Sequence, residues 1–178
     1  MLVYIEDSCE GIEGTMPKEL HRCQMEKNPD IAIGVRKNPL WKDTLYLVPK
    51  VIVLGVGCRK GTEPGRIEEK VRQVFSQEEI FLESICRVSS IDLKKEEAGI
   101  LGFCKKYGLE YATFSAQELQ DVEGEFSGSD FVRKITGVDN VCERSAVCGS
   151  GGKIIITRQA ECGVTVAAAM KKWSIRFE

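Results

Sequence analysis

The residues best suited to chemistry lie in one stretch, Val51-Ile-Val-Leu-Gly-Val-Gly-Cys-Arg-Lys-Gly-Thr62, where an apolar run breaks into glycines, a cysteine, two cations and a threonine before a helical pattern. A buried strand that empties into such a turn gathers unpaired backbone N–H groups and positive charge at one point, and this is the chemistry of an anion site. Gly57 allows close backbone approach and Arg59 offers a bidentate fork to a carboxylate, with Lys60 adding charge. Thr62 or Glu63 opens a helix that has Pro64 in its first turn. The same residues also read as a plain tight turn whose two cations are solvated. Dinucleotide binding does not fit: lysine stands at position 60 where the GxGxxG pattern needs its third glycine, and the P-loop pattern is absent. Cys58 is the one thiol beside a cationic turn, which would favour a thiolate, but no histidine accompanies it as a base. The single histidine, His21, lies in a distant polar stretch, and this excludes a Ser/His/Asp triad or a histidine metal site.

Composition narrows the class. With 178 residues, 43% of them hydrophobic, the chain is long enough for one domain, or a domain plus a short extra segment. Lysine and arginine total 25 against 27 acids, a net charge of −2, so the overall balance calls for neither nucleic acid nor a membrane surface. No apolar run approaches membrane-span length, and Met1-Leu-Val-Tyr-Ile-Glu meets an acid too early for a signal peptide; a cytoplasmic protein is expected. The eight cysteines contain no CxxC and sit mostly in apolar stretches, so they read as reduced small hydrophobes, with no metal site.

The elements that must position the turn follow from periodicity. Residues 1–48 carry strand patterns at Leu2–Ile5, within Asp30–Val35 and from Leu45, separated by polar stretches, which is too little to bury a core alone. From Pro49 onward strands and helices alternate, with Val51–Leu54 as strand and Pro64–Phe75 as a helix whose Ile67, Val71, Val74 and Phe75 share one face. Strand Arg87–Ile91, helix Lys94–Tyr107 and strand Glu110–Phe114 follow. Short helices at Ala116–Leu119 and Phe131–Ile135 flank a polar loop over Asp121–Asp130. Helix Val141–Cys148 and strands Lys153–Thr157 and Val164–Ala169 complete the pattern. The expectation is an α/β fold, a layered α/β/α domain with a mixed sheet over residues 49–178, preceded by a short partial β-containing segment over 1–48.

Five segments in this order, Gly55-Val-Gly-Cys-Arg-Lys-Gly-Thr62, Ser89-Ser-Ile-Asp-Leu-Lys-Lys-Glu-Glu97, Phe114-Ser-Ala-Gln-Glu-Leu119, Gly137-Val-Asp-Asn-Val-Cys-Glu143 and Gly163-Val-Thr-Val-Ala167, resemble the C-terminal domain of the CbiG family of cobalt-precorrin-5A hydrolases. Residues 30–49 resemble the end of the middle region that precedes this domain, and stand-alone CobE proteins resemble the same domain. The resemblance implies the anaerobic route of cobalamin biosynthesis, with opening of the ring A lactone of cobalt-precorrin-5A and release of acetaldehyde to give cobalt-precorrin-5B. The partner is then a corrinoid rimmed with carboxylates. No cofactor is implied, because the cobalt travels in the substrate, and the family's N-terminal domain or other cobalamin-pathway enzymes are expected as further partners. A non-catalytic corrinoid carrier of CobE type is the alternative, and an anion-binding regulatory domain is a third class.

Within the matching motifs the implied site comprises Glu97 and Glu143 as candidate bases, Gly57, Cys58, Arg59, Lys60, Gly61 and Thr62 as the substrate-binding turn, and Ser90, Lys94 and Ser115 as further substrate contacts. Backbone N–H groups near Gly57 are expected to share in holding a developing oxyanion. Several of these residues have structural readings as well. Asn140-Val-Cys-Glu143 has the spacing of a helix cap, Glu97 falls where a helix start favours acid, and serines at strand ends commonly satisfy loop backbone. Arg158 stands where the family pattern leads one to expect lysine, which keeps the charge and changes its geometry.

Overall fold

The computed structural model of the chain describes every residue except Ser127 and Ser129, and of Phe131 the backbone alone; the part of the expected 121–130 loop that falls on those two serines lies outside the described residues. The strands are β1 (Leu2–Ile5), β2 (Gly11–Glu13), β3 (His21–Arg22), β4 (Ile31–Ile33), β5 (Leu45–Leu47) and β6 (Ile52–Cys58), then, after helix α1 (Pro64–Gln77), β7 (Ile85–Ile91). Helix α2 (Ala98–Tyr107), β8 (Glu110–Phe114), α3 (Ala116–Gln120), α4 (Asp130–Thr136) and α5 (Val141–Ser150) lead to β9 (Lys153–Glu161), β10 (Val164–Met170) and β11 (Ser174–Arg176).

The main sheet runs β8-β7-β6-β10-β9, with β6, β7 and β8 parallel and β10 and β9 antiparallel, so it is mixed as expected. Alternation along β6 sorts its neighbours: Ile52, Leu54 and Val56 enter the main core with Ile67, Val71 and Phe75 of α1 and Ile100 and Phe103 of α2, while Gly55 faces α5. Helices on both faces make the α/β/α layering. Strands β3-β1-β4-β5 form a separate small parallel sheet over the first residues. It is tied to the rest by Val35, which enters the main core and accepts the Phe81 N–H at 2.9 Å, and by β11, which pairs with β2. Strands of two or three residues with no apolar alternation, such as β2, β3 and β11, leave almost no signal in sequence.

Several expected boundaries move, with β7 starting at Ile85 and β9 running on to Glu161, and two of the shifts near the turn have a packing reason. β6 continues through Cys58, so Gly55 and Gly57 lie inside a strand instead of in the turn. They are small because of what crosses them. A Cβ on Gly55 would stand 1.8 Å from the Cys142 carbonyl oxygen of α5, and one on Gly57 would stand 2.4 Å from Thr165 Oγ1 of β10. The turn itself is Arg59–Glu63, where Gly61 takes φ +75°. The helix expected from Lys94 begins at Ala98, after a separate 3₁₀ turn over Asp92–Lys94, because Glu97 is held in extended backbone as the residue before the helix.

α5 approaches the sheet closely because its inner face is small: Cys142, Ser145, Ala146 and Gly149 recur at helical spacing, and the first three are buried. Gly55→Ala is therefore expected to lower stability by about 3 kcal/mol, through overpacking against α5 backbone that cannot yield. Gly65→Ala, whose new Cβ meets nothing within 4 Å, is the control and should stay within about 1 kcal/mol of the parent. Thermal and denaturant melts of both variants check this pair.

Candidate functional site

A cavity of about 610 Å³ opens at the carboxyl ends of β6 and β7, where ligands bind in open α/β sheets. Gly57, Cys58, Arg59 and Lys60 form one side and Lys94 and Ile91 the floor beyond β7. Arg158 and Thr165 reach it from β9 and β10, Asn140 to Cys142 bring in the start of α5, and Val132 and Ile135 of α4 supply an apolar wall. Four cations thus face one space. Arg59, Lys60 and Arg158 make no ion pair among the described residues, whereas the cavity's one acid, Asp139, holds Arg144 at 3.0 Å. Positive potential inside a partly apolar recess favours an anion with an apolar body.

The turn attracts charge through side chains more than through backbone. Contrary to expectation, its N–H groups are largely engaged: Arg59 N–H donates to the Gly163 carbonyl at 3.0 Å, Thr62 N–H to Arg59 at 3.3 Å, and Gly61 N–H to Glu97 Oε1 at 2.8 Å. Thr62 Oγ1 also donates to the Arg59 carbonyl, at 2.8 Å, which turns that hydroxyl inward. Glu97 thus braces the loop from behind. Its second oxygen receives Lys94 Nζ at 3.2 Å, and the carboxylate side chain is only 8% exposed.

Glu143 is 2% exposed, and both of its oxygens are engaged. Oε2 accepts Asn140 Nδ2 at 2.7 Å, and Oε1 accepts the Arg158 backbone N–H at 2.6 Å. The second bond explains a feature invisible in sequence. Between the pairs Val166/Gln159 and Ala168/Ile156, β9 carries one residue more than β10, so Thr157 and Arg158 together oppose Ala167. Such a bulge frees an N–H from the ladder and re-aims a side chain. Glu143 takes that N–H, and the Arg158 side chain lines the cavity. Asn140 Oδ1 in turn accepts the Glu143 N–H at 3.0 Å and caps α5.

Of the residues singled out from sequence, Gly57, Cys58, Arg59, Lys60 and Lys94 line the one cavity, with Gly61, Thr62 and Glu97 directly behind its rim. Three others are held elsewhere. Ser90 Oγ is buried and donates to the Val56 carbonyl at 2.7 Å; Ser115 forms the capping box of α3 with Glu118; Glu143 sits beneath the bulge. Burial raises the Cys58 thiol pKa, with Lys94 lowering it and Glu97 raising it, so the group stays a thiol near neutrality. Cys142 at the α5 start is pushed up to about 12 by burial. The site named from sequence left out three parts of this lining: Arg158, noted there only for standing where lysine is expected, Asn140, noted only as a helix cap, and the α4 wall.

Comparison with known proteins gives the arrangement its context. Residues 52–169 match the family described as "Cobalamin synthesis G C-terminus". The chain is 30% identical over 154 residues to a cobalt-precorrin-5A hydrolase of Priestia megaterium, a stretch covering 82% of this chain and 41% of that protein. It is 31% identical over 128 residues to the cobalt-precorrin-5A hydrolase of Salmonella typhimurium, covering 72% of this chain and 35% of that one. It therefore spans about two fifths or less of these relatives' length. In fold it is similar to CobE, a protein from the cobalamin biosynthetic pathway, with a TM-score of 0.64 at 21% identity over 69% of this chain and 92% of CobE. The family match runs from β6 to β10 and takes in both sides of the cationic cavity, and the chain belongs to the cobalamin synthesis G C-terminal family.

Proposed function

We propose that this chain is the substrate-holding part of a cobalt-precorrin-5A hydrolase, which opens the ring A lactone and releases acetaldehyde to leave cobalt-precorrin-5B. The observation that carries the reading is the cavity at the β6 and β7 ends, where Arg59, Lys60, Lys94 and Arg158 face a space walled by Val132 and Ile135. A corrinoid has this duality, an apolar ring with a rim of carboxylates, and the hydrolase relatives bear that substrate in their names. Cobalt enters as part of the substrate. Residues 1–48 correspond in this reading to the end of the family's middle region, and the further region spanned by the relatives closes the other side of the ring.

The chemistry assigned to this chain is charge stabilisation and water activation. Arg59 and Lys94 hold the oxyanion that develops when water adds to the lactone carbonyl, in a recess where such contacts gain strength from exclusion of water. Glu97 is the base. Its Oε2 is held by Lys94 Nζ at 3.2 Å, and as Lys94 turns toward the lactone carbonyl oxygen that carboxylate oxygen is left to accept a proton from water. Glu143 acts on position alone, through the bulge.

Acetaldehyde assays with cobalt-precorrin-5A test the reading. Release should be slow from the 178 residues alone and faster when the remaining region of a relative is supplied; binding without release in either case would make the chain a carrier. In the reconstituted enzyme Glu97→Gln should lower turnover by about a hundredfold while the melting temperature falls less than for Glu143→Gln, because the amide oxygen still accepts the Gly61 N–H and the flexible, partly exposed Lys94 ammonium, unlike a backbone N–H, can turn away from the amide NH₂. Glu143→Gln should instead destabilise by about 2 kcal/mol, since an amide NH₂ would meet either Asn140 Nδ2 or the Arg158 N–H, donor against donor. Silence at Glu97 with a dead, stable Glu143→Gln enzyme would reverse the two roles.

The half-buried Cys58 thiol is not the nucleophile in this account. Iodoacetamide at neutral pH should label the exposed Cys162 well before Cys58, and Cys58→Ser should retain turnover. Preferential alkylation of Cys58 with matching loss of turnover would contradict it.

A further inference from the structure

The cavity has two chemically distinct halves, and they fix how a ring can sit. Cations occupy the strand-end side, with Arg59 on the β6 turn and Arg158 on β9, while Val132 and Ile135 form the α4 side, where Ile135 is 63% exposed. An exposed isoleucine beside a recess on a short helix gains little from its own fold. Its apolar surface remains for something else to cover. The helix is nevertheless held in place. From α5, Arg144 donates to the carbonyls of Leu119 and Val122, each at 3.1 Å, and to Asp139 Oδ1 at 3.0 Å, so one guanidinium grips the segment on both sides of α4. About 610 Å³ is the scale of a drug-sized ligand, so the recess takes in part of a corrin with its side arms and leaves the rest outside.

We propose that the macrocycle stands edge-on in this cavity, with a carboxylate of its rim read by Arg158 and its ring face laid against Ile135 and Val132, so that Arg158 is a specificity residue for acid over amide side arms. This rests on the corrinoid reading of the cavity and adds the orientation and the residue that sets it. Arg158 suits the role because it is aimed by the backbone: its N–H leaves the β9–β10 ladder for Glu143 Oε1, and the bulge turns the side chain into the recess. A guanidinium placed in this way presents a planar fork to a carboxylate and has nothing equivalent to offer a primary amide. Glu143 is then a positioning residue for Arg158.

The test uses two stable corrinoids as probes: cobyrinic acid, whose side arms end in free carboxylates, and cobinamide, in which they are amidated. In calorimetric titrations of the whole chain, Arg158→Ala should weaken cobyrinic acid by at least about tenfold and leave cobinamide unchanged, with Arg158→Lys recovering part of the loss. Ile135→Ser should weaken both probes alike, by about three- to tenfold, since it removes apolar contact only. Arg158→Gln serves as a second neutral variant should Arg158→Ala melt early, and its expected outcome is the same. Equal loss of both probes on neutralising Arg158, or no effect of Ile135→Ser on either, would overturn the orientation. Normal probe discrimination with no acetaldehyde release even after the remaining region of a relative is supplied would overturn the hydrolase reading alone, and failure of the parent chain to bind either corrinoid would overturn both.

Discussion

The structure depends on how closely α5 can lie against β6 and β10. With Gly55 beneath the Cys142 carbonyl and Ala146 beside it, helix and sheet approach at a separation that any larger pair of residues would prevent. That approach carries the start of α5 to the strand ends, and with it Asn140 and Glu143. Only at this depth does the Glu143 carboxylate reach the β9 backbone, where it replaces the ladder partner that the bulge removes from Arg158. A buried acid is costly unless donors satisfy it, and here Asn140 and a backbone N–H do so. The position of a surface arginine is thereby set by packing several layers below it.

The cavity also holds an electrostatic tension. Four cations share one recess, and among the described residues only Lys94 has its own carboxylate, in Glu97. Repulsion among the others opposes the fold slightly and is screened by salt where they are exposed. A polycarboxylate relieves it. Binding such a ligand should therefore stabilise the fold as well as occupy the proposed site. The turn shows the same division of labour: Glu97 and the Gly163 carbonyl fix its backbone, so that Arg59 and Lys60 project from a rigid base.

Much of the fold was readable from local pattern, and the limits are physical. Ile67, Val71, Val74 and Phe75 announce α1 because a two-sided layer needs one apolar helix face, and the run from Val51 announces a strand buried on both faces. The glycines at 55 and 57 were misplaced into a turn since their reason lies in residues about 90 to 110 positions away, Cys142 and Thr165. Within the site, the cationic turn and Lys94 were legible from residue type and spacing. The engaged N–H groups of that turn were not, because their partners Glu97 and Gly163 are brought there only by tertiary packing. The bulge at Arg158 is a mismatch of register between two strands, a property of the pair that neither strand displays alone.

The most direct measurement is a titration of the isotope-labelled chain with cobyrinic acid, followed through its backbone amide and arginine side-chain NMR signals. The account predicts shifts concentrated on Gly57 to Lys60, on Arg158 and Gly163, and on the start of α5, with α1 and the small N-terminal sheet unmoved. Shifts centred on the separate recess between Arg66, Lys70 and Glu161, with the strand-end cavity silent, would contradict it.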